Sequence, residues 1–226
     1  MWQPVVRSGK VLTLLGGGPA HLSHLKQSLK LAPLLVAADG GSDSALRAGL
    51  QPAAVIGDMD SISDGARAQI APEALHHIPE QDSTDFEKCL TRIEAPGILA
   101  HGFLAGRLDH ELAVLNTLAR YPDMRCILIG SQDLCFLAPA QLRIDLTAGT
   151  RVSLFPLARV RADADGLHYP VRNLELSPMG QIGTSNSATG PVDLSVDQRG
   201  LFVILPRSCL RASIEALGLM DAIEDG

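Results

Sequence analysis

The side chains able to do chemistry are mostly acidic, and they fall in four tight groups. In chain order these are Ala38-Asp39-Gly40-Gly41, Gly57-Asp58-Met59-Asp60-Ser61, Gln81-Asp82-Ser83-Thr84-Asp85 with Lys88, and Gly106-Arg107-Leu108-Asp109-His110. Two aspartates one residue apart, flanked by Gly and Ser, suit a hard, oxygen-liganded cation such as Mg²⁺. Asp58 and Asp60 are therefore metal-ligand candidates. Lys88 follows Asp85 by one helical turn, close enough to present a cation beside a carboxylate. A carboxylate for a metal and an ammonium for a phosphate are components of phosphoryl transfer. Arg107 stands in a glycine-rich loop, where its planar fork can grip a phosphate bidentately. Asp109 and His110 have two readings each: Asp109 as a helix N-cap or a site carboxylate, His110 as a phosphate contact or a first-turn histidine.

The elements that must hold these groups can be read from apolar runs. Val11–Leu15, Leu34–Ala38, Ala53–Ile56, Ile98–Ala100 and Cys126–Gly130 are short, continuous and bounded by turn residues, the pattern of strands buried on both faces. Helices are expected between them, around Leu22 to Leu29, from Ser42 to Gly49, from Ser63 to Ile70, and after Thr84. Thr84 with Glu87 three residues on has the form of a capping box. A further helix carries Leu112, Leu115 and Leu118, with Leu108 as a staple residue before it. Alternating strand and helix imply a mostly parallel sheet with right-handed crossovers. The Asp39 and Asp58 groups both end strands, and open α/β sheets bind ligands beyond their strand carboxyl ends. Leu75–Ile78 reads as one more short strand. It carries His76 and His77, which as neighbours cannot share a face for metal ligation. Gly16-Gly17-Gly18-Pro19 follows the first strand and allows backbone amides to approach a phosphate, but it is neither G-x-G-x-x-G nor a Walker A sequence.

From about Leu134 the pattern changes to short, partly alternating segments at Leu134–Leu137, Gln141–Leu146, Arg151–Pro156, Asp193–Val196 and Leu201–Leu205. Gly, Pro, Asp and Asn turns separate them, and Gln198-Arg199-Gly200 reads as a hairpin connection. The fold class expected is an N-terminal α/β domain with a mostly parallel sheet, residues 1–132, followed by an all-β antiparallel sandwich domain, residues 133–226. A short helix from Ala212 to Ile223 closes the chain. Gly183-Thr184-Ser185-Asn186-Ser187 is a polar run of the kind found in loops, and Tyr169 is one of only 2 tyrosines.

The totals narrow the function classes. With 46% hydrophobic and 19% charged residues the chain reads as globular rather than disordered. A net charge of -6 without a basic stripe speaks against a nucleic-acid partner. The 4 cysteines lack metal-ligand spacing and read as free thiols of a reducing cytosol. No apolar run approaches membrane-spanning length, so a cytoplasmic protein with no membrane partner is expected.

Taken together, the four groups resemble the thiamin pyrophosphokinase family in order and spacing. They cover about the first half of the chain, and Gly166-Leu167-His168-Tyr169-Pro170 with Thr184-Ser185-Asn186 extends the likeness more loosely. The resemblance implies transfer of the β,γ-pyrophosphoryl group of ATP to the hydroxyl of thiamin, with release of AMP. It implies a homodimer whose active sites draw on both domains and both subunits. The first domain would bind nucleotide and Mg²⁺, the second thiamin and the partner subunit. Asp58, Asp60 and Asp85 would hold Mg²⁺, with Asp82 close by. Lys88 and Arg107 would bind phosphates, Asp39 and Asp109 would line the site, and Thr84 and His110 would join the nucleotide-binding set. Ser185 and Asn186 would contact thiamin, with Tyr169 standing where some members carry Trp.

Elementary chemistry agrees with that reading. Attack of an alcohol on a phosphorus of ATP needs chiefly positioning and charge neutralisation. No residue is singled out as general base; Asp82 and Asp109 are the metal-proximal choices. Clustered aspartates and Mg²⁺ would also serve a phosphohydrolase, and the first domain alone would serve a pyrophosphokinase for another alcohol such as a pterin. A nucleotide-binding regulator without turnover is the remaining alternative.

Overall fold

The structure is a computed structural model that describes residues 3–104 and 106–223. The chain divides into two compact units. The first takes in residues up to Thr117, Leu128–Ser131 and the chain from Ala222 on; the second takes in Leu118–Ile127 and Gln132–Asp221.

In the first unit, strands β1 (Val6–Arg7), β2 (Leu12–Leu15), β3 (Leu35–Ala38), β4 (Ala54–Gly57), β5 (Leu75–His77), β6 (Ile93–Glu94) and β7 (Ile98–His101) alternate with helices α1 (Leu22–Leu31), α2 (Gly41–Arg47), α3 (Asp64–Arg67), α4 (Asp85–Arg92) and α5 (Leu108–Arg120), the last of which runs past the unit's end at Thr117. The parallel ladder runs β7-β2-β3-β4-β5, while β1 and β6 form a separate parallel pair. β2, β3, β4 and β7 are buried along their whole length, as continuous apolar runs covered on both faces must be. The chain steps outward from β2 to β5 and then returns to the other side of β2 with β7. That reversal of direction creates a crevice at the strand carboxyl ends.

Two expectations for this unit need correcting. The helix after Ser63 has only four residues, Asp64–Arg67; its Ala66, with Ile62 before it and Ile70 after it, joins an apolar cluster with Val55 and Met59. Leu108 is the first helical residue rather than a staple before the helix, and both it and Leu112 are exposed. Val114 and Thr117 join the expected Leu118 in the buried stripe of α5.

β8 (Cys126–Ile129) follows α5. The second unit contains β9 (Asp133–Leu137), β10 (Gln141–Ile144), β11 (Arg151–Pro156), β12 (Val160–Leu167), β13 (Val171–Leu176), β14 (Gly183–Val196), β15 (Leu201–Pro206) and α6 (Leu210–Ala216). Every pairing among β9 to β15 is antiparallel. β12 and β13 escape a reading based on short alternating runs, since β12 reads Val-Arg-Ala-Asp-Ala-Asp-Gly-Leu and buries small alanines on its inner face. The polar run at Gly183–Ser187 is the first part of the 14-residue strand β14 rather than a loop. Residues 197–200 are not a hairpin: β14 and β15 each pair with β11, one on either side of it. The four cysteines are free thiols. No helix among the described residues is long and apolar enough to cross a membrane.

Candidate active site

Each strand of the parallel ladder delivers its following loop to one cavity of about 790 Å³. β2 supplies Gly17 and Gly18, β3 supplies Gly40, β4 supplies Asp58, Asp60 and Ser61, β5 supplies Ser83 to Asp85, and β7 supplies Gly102, Phe103 and Arg107. The glycines are there because the backbones pass too closely for side chains. A Cβ on Gly41 would collide with the Leu15 carbonyl oxygen, and one on Gly18 would stand 2.6 Å from that of Gly102. Gly102 itself has φ of 76° and its own Cβ would meet the Gly16 carbonyl oxygen at 2.5 Å.

The acidic centre is built from β3 and β4. Asp39 is fully buried and sits in a left-handed conformation, φ 40°, which a non-glycine residue adopts at a cost of about 1–3 kcal/mol and only when its surroundings impose it. Its amide donates to the Ile56 carbonyl (3.0 Å), and its Oδ2 accepts from the Ser61 amide (3.2 Å). Its Oδ1 is buried without a hydrogen-bond partner among the described residues. Burial pushes the Asp39 carboxyl up to about 7, with the Ser61 amide opposing and Asp85, Asp60 and Asp58 adding to the rise. One carboxylate oxygen from each of Asp39, Asp58 and Asp60 lies within 4.8 Å of the others. Met59, between the Asp58 and Asp60 carboxylates, turns the other way into the apolar cluster with φ of 65°.

Lys88 closes this centre on the α4 side. Its side chain is 2% exposed, and Nζ donates to Asp58 Oδ2 at 2.6 Å and to Asp85 Oδ1 at 3.4 Å. The Lys88 hydrogen bond holds the Asp58 carboxyl below its ordinary range, while burial raises that of Asp85 against the pull of Lys88. For Lys88 itself burial disfavours the cation, yet the contacts with Asp58 and Asp85 outweigh it and raise the pKa. Thr84 caps α4, its hydroxyl accepting from the Glu87 amide (3.3 Å).

The residues expected from the sequence divide as follows. Asp58, Asp60, Thr84, Asp85, Lys88, Arg107 and His110 line the cavity, and Asp39 is buried directly behind it. Asp82 is exposed and, like Asp109, is not among the lining residues. Asp109 falls within the first turn of α5 rather than at its N-cap. Its carboxylate pairs with Arg107 (2.6 Å), both side chains being more than half exposed. Such a surface pair is worth little, so the Arg107 fork can change partners cheaply. Residue 105 of this loop lies outside the described residues. Tyr169, Ser185 and Asn186 belong to the second unit. The Asn186 carboxamide accepts from the Tyr169 amide (3.0 Å) and donates to the Tyr169 carbonyl (2.8 Å), pinning the turn between β12 and β13 to β14.

Sequence reasoning missed Asp43, Arg47, Phe86 and Phe103, all of which line the cavity. The first two were within reach, because α2 starts in the Asp39 loop and must open onto the same crevice. Asp43 anchors the β4 loop, accepting from the Ser63 amide (3.1 Å) and hydroxyl (2.5 Å). Phe86 and Phe103 pack on each other at 4.7 Å between ring centres, a contact that no spacing in the sequence signals.

Acidic loops gathered over the carboxyl ends of a parallel sheet, with lysine and arginine among them, define an α/β enzyme of the kind that handles phosphate esters. Residues 25–128 match the family model for thiamin pyrophosphokinase, catalytic domain. Thiamine pyrophosphokinase 1 of Arabidopsis thaliana is 31% identical over 189 residues, covering 69% of this chain and 71% of that protein. Thiamin pyrophosphokinase 1 of Caenorhabditis elegans is 30% identical over 199 residues, covering 77% and 80%. The fold is similar to that of thiamin pyrophosphokinase from Candida albicans, with a TM-score of 0.74 at 18% identity over 91% of this chain and 95% of that one. The chain belongs to the thiamin pyrophosphokinase family.

Proposed function

We propose that the chain transfers the pyrophosphoryl group of ATP to the hydroxyl of thiamin, forming thiamin diphosphate and AMP. In that step the alcohol oxygen bonds to the β-phosphorus, the bond from the β-phosphorus to the α,β-bridging oxygen breaks so that this oxygen leaves on AMP, and the alcohol proton is released. The observation that carries the proposal is the carboxylate cluster of Asp39, Asp58 and Asp60, with Lys88 bridging Asp58 to Asp85, in a chain of this family.

The donor set suits Mg²⁺. It is all oxygen, and Asp39 Oδ1 is buried with no hydrogen-bond partner among the described residues. Asp58 and Asp60 would hold the ion, with Asp39 behind them and Asp85 on the far side of Lys88. A bound Mg²⁺ neutralises polyphosphate charge as it shifts to the leaving group. Arg107 and Arg47, both lining the cavity, would grip phosphate oxygens, and Thr84 and His110 lie in the same wall. Lys88 is held by two carboxylates, so its first task is to fix the ligands; its contact with phosphate follows from the same position. The cavity lining carries Asp43, Asp58, Asp60, Asp85 and Glu111 against Arg47, Lys88 and Arg107, and that acidic excess favours a cationic thiazolium ring.

The second unit, read as a β-sandwich over about residues 133–226, would supply Ser185, Asn186 and Tyr169 to thiamin and the contacts of a cytoplasmic homodimer. Sedimentation of the purified protein reads the dimer directly.

The test is an assay with purified protein, ATP, Mg²⁺ and thiamin that follows AMP and thiamin diphosphate together. Equal amounts of the two, formed only with thiamin and lost on chelation of the metal, is the expected result. AMP or phosphate formed without thiamin would replace this reading with a phosphohydrolase, and turnover only with a pterin alcohol would change the acceptor.

A further inference from the structure

Outside the acidic centre, a second ionic pair stands one step behind the cavity wall. Arg92, the last residue of α4, is buried, with its side chain 5% exposed, and Nη2 donates to Glu80 Oε2 at 3.3 Å. Its Nη1 donates to the Thr91 hydroxyl (2.7 Å), and its carbonyl accepts from the Val5 amide (2.8 Å) beside the β1–β6 pair. Arg92 is thereby fixed by backbone and side chain. The other oxygen of Glu80, Oε1, accepts from the Ser83 hydroxyl at 2.9 Å. Ser83 lines the cavity, next to Thr84 and Asp85, whereas Glu80 and Arg92 are not among its lining residues.

The direction of that hydrogen bond has a chemical consequence. A carboxylate only accepts, so the single proton of the Ser83 hydroxyl is committed to Glu80. What Ser83 offers the cavity is lone pairs. Phosphate oxygens are acceptors too and gain nothing from them; an O–H donor does. We propose that Glu80 and Arg92 are positioning residues that hold Ser83 as an acceptor for an O–H donor in the cavity. The donor is either the hydroxyl of the acceptor alcohol or water carried by the cation. The inference rests on the transfer reaction proposed above and adds to it a polarity that discriminates against phosphate at this point of the wall.

The test is a double-mutant cycle in the full-length protein with Ser83→Ala, Glu80→Gln and both together. Glutamine can donate as well as accept, so it frees Ser83 to turn its proton into the cavity. Each single change is expected to cost about tenfold, the worth of one hydrogen bond. The loss should fall either in kcat/KM for thiamin or in the Mg²⁺ concentration giving half-maximal response. Both should leave KM for ATP at saturating Mg²⁺ unchanged, and the double variant should be no worse than Ser83→Ala. A calorimetric Mg²⁺ titration in the presence of a non-hydrolysable ATP analogue distinguishes the two donors without relying on turnover. A loss confined to thiamin assigns the alcohol, and a weakened Mg²⁺ response assigns the metal-borne water. Additive losses near a hundredfold, a loss in KM for ATP alone, or single variants within twofold of wild type would overturn the proposal. If Glu80→Gln melts well below wild type, Glu80→Asp, which keeps the charge, takes its place in the cycle under the same criteria. If the wild-type protein has no thiamin turnover, the reaction assigned above fails by itself, and the cycle is decided by the Mg²⁺ titration.

Discussion

Replacing Lys88 by methionine removes one charge from the centre of the site while keeping an unbranched apolar stem. Nζ is shared between Asp58 at 2.6 Å and Asp85 at 3.4 Å, and the side chains of Lys88 and Asp58 are 2% and 13% exposed. Deleting one partner of a buried ion pair costs about 3–5 kcal/mol, because the other charge stays behind without compensation. Asp85 is 39% exposed, so water already shares its load and the lower end, about 3 kcal/mol, is the appropriate figure. At roughly 2–4 °C per kcal/mol for a chain of this size, melting should fall by about 6–12 °C. Differential scanning calorimetry reads this directly, with and without Mg²⁺. A divalent ion between the same carboxylates replaces the lost charge, so Mg²⁺ should raise the melting temperature of Lys88→Met more than that of wild type. Adding Asp58→Asn to Lys88→Met should restore much of the stability, since the stranded charge is then gone. A melting temperature within about 2 °C of wild type would refute the reasoning, and so would a double variant no more stable than the single one.

Thr84→Ala should cost about 1 kcal/mol through loss of the cap that accepts from the Glu87 amide, read as a melting shift of about 2–4 °C. The same change should weaken turnover more than stability, since α4 also carries Asp85 and Lys88 into the site. Gly41→Ala should yield little or no folded protein, because its Cβ would overlap the Leu15 carbonyl oxygen where β2 meets α2. Soluble, cooperatively melting Gly41→Ala protein would show that this junction yields more than its packing suggests.

Much of the catalytic half was legible because its signals are local. A buried parallel strand writes itself as a continuous apolar run, and β2, β3, β4 and β7 were each found within a residue or two of their ends. Thr84 with Glu87 marked the start of α4, and the aspartates that end β3 and β4 announced where ligand chemistry belongs. Other parts were decided by tertiary structure. The second half hides β12 behind alanines and writes the start of β14 in Ser, Thr and Asn, since antiparallel strands with one wet face need few large apolar residues. Residues 197–200 look like a hairpin locally, yet β11 lies between the strands they join, a pairing between residues far apart in the chain. The grouping of Asp39 with Asp58 and Asp60 follows from β3 and β4 being neighbours with their carboxyl ends level. Asp85, which the family resemblance places with Asp58 and Asp60, stands on the other side of Lys88. The partnership of Arg92, Glu80 and Ser83 was equally invisible, because it depends on where α4 ends against the loop that precedes it. Residue types and spacing determined which chemistry this chain carries. Strand adjacency and burial decided which carboxylate faces which cation, and so which of them do it.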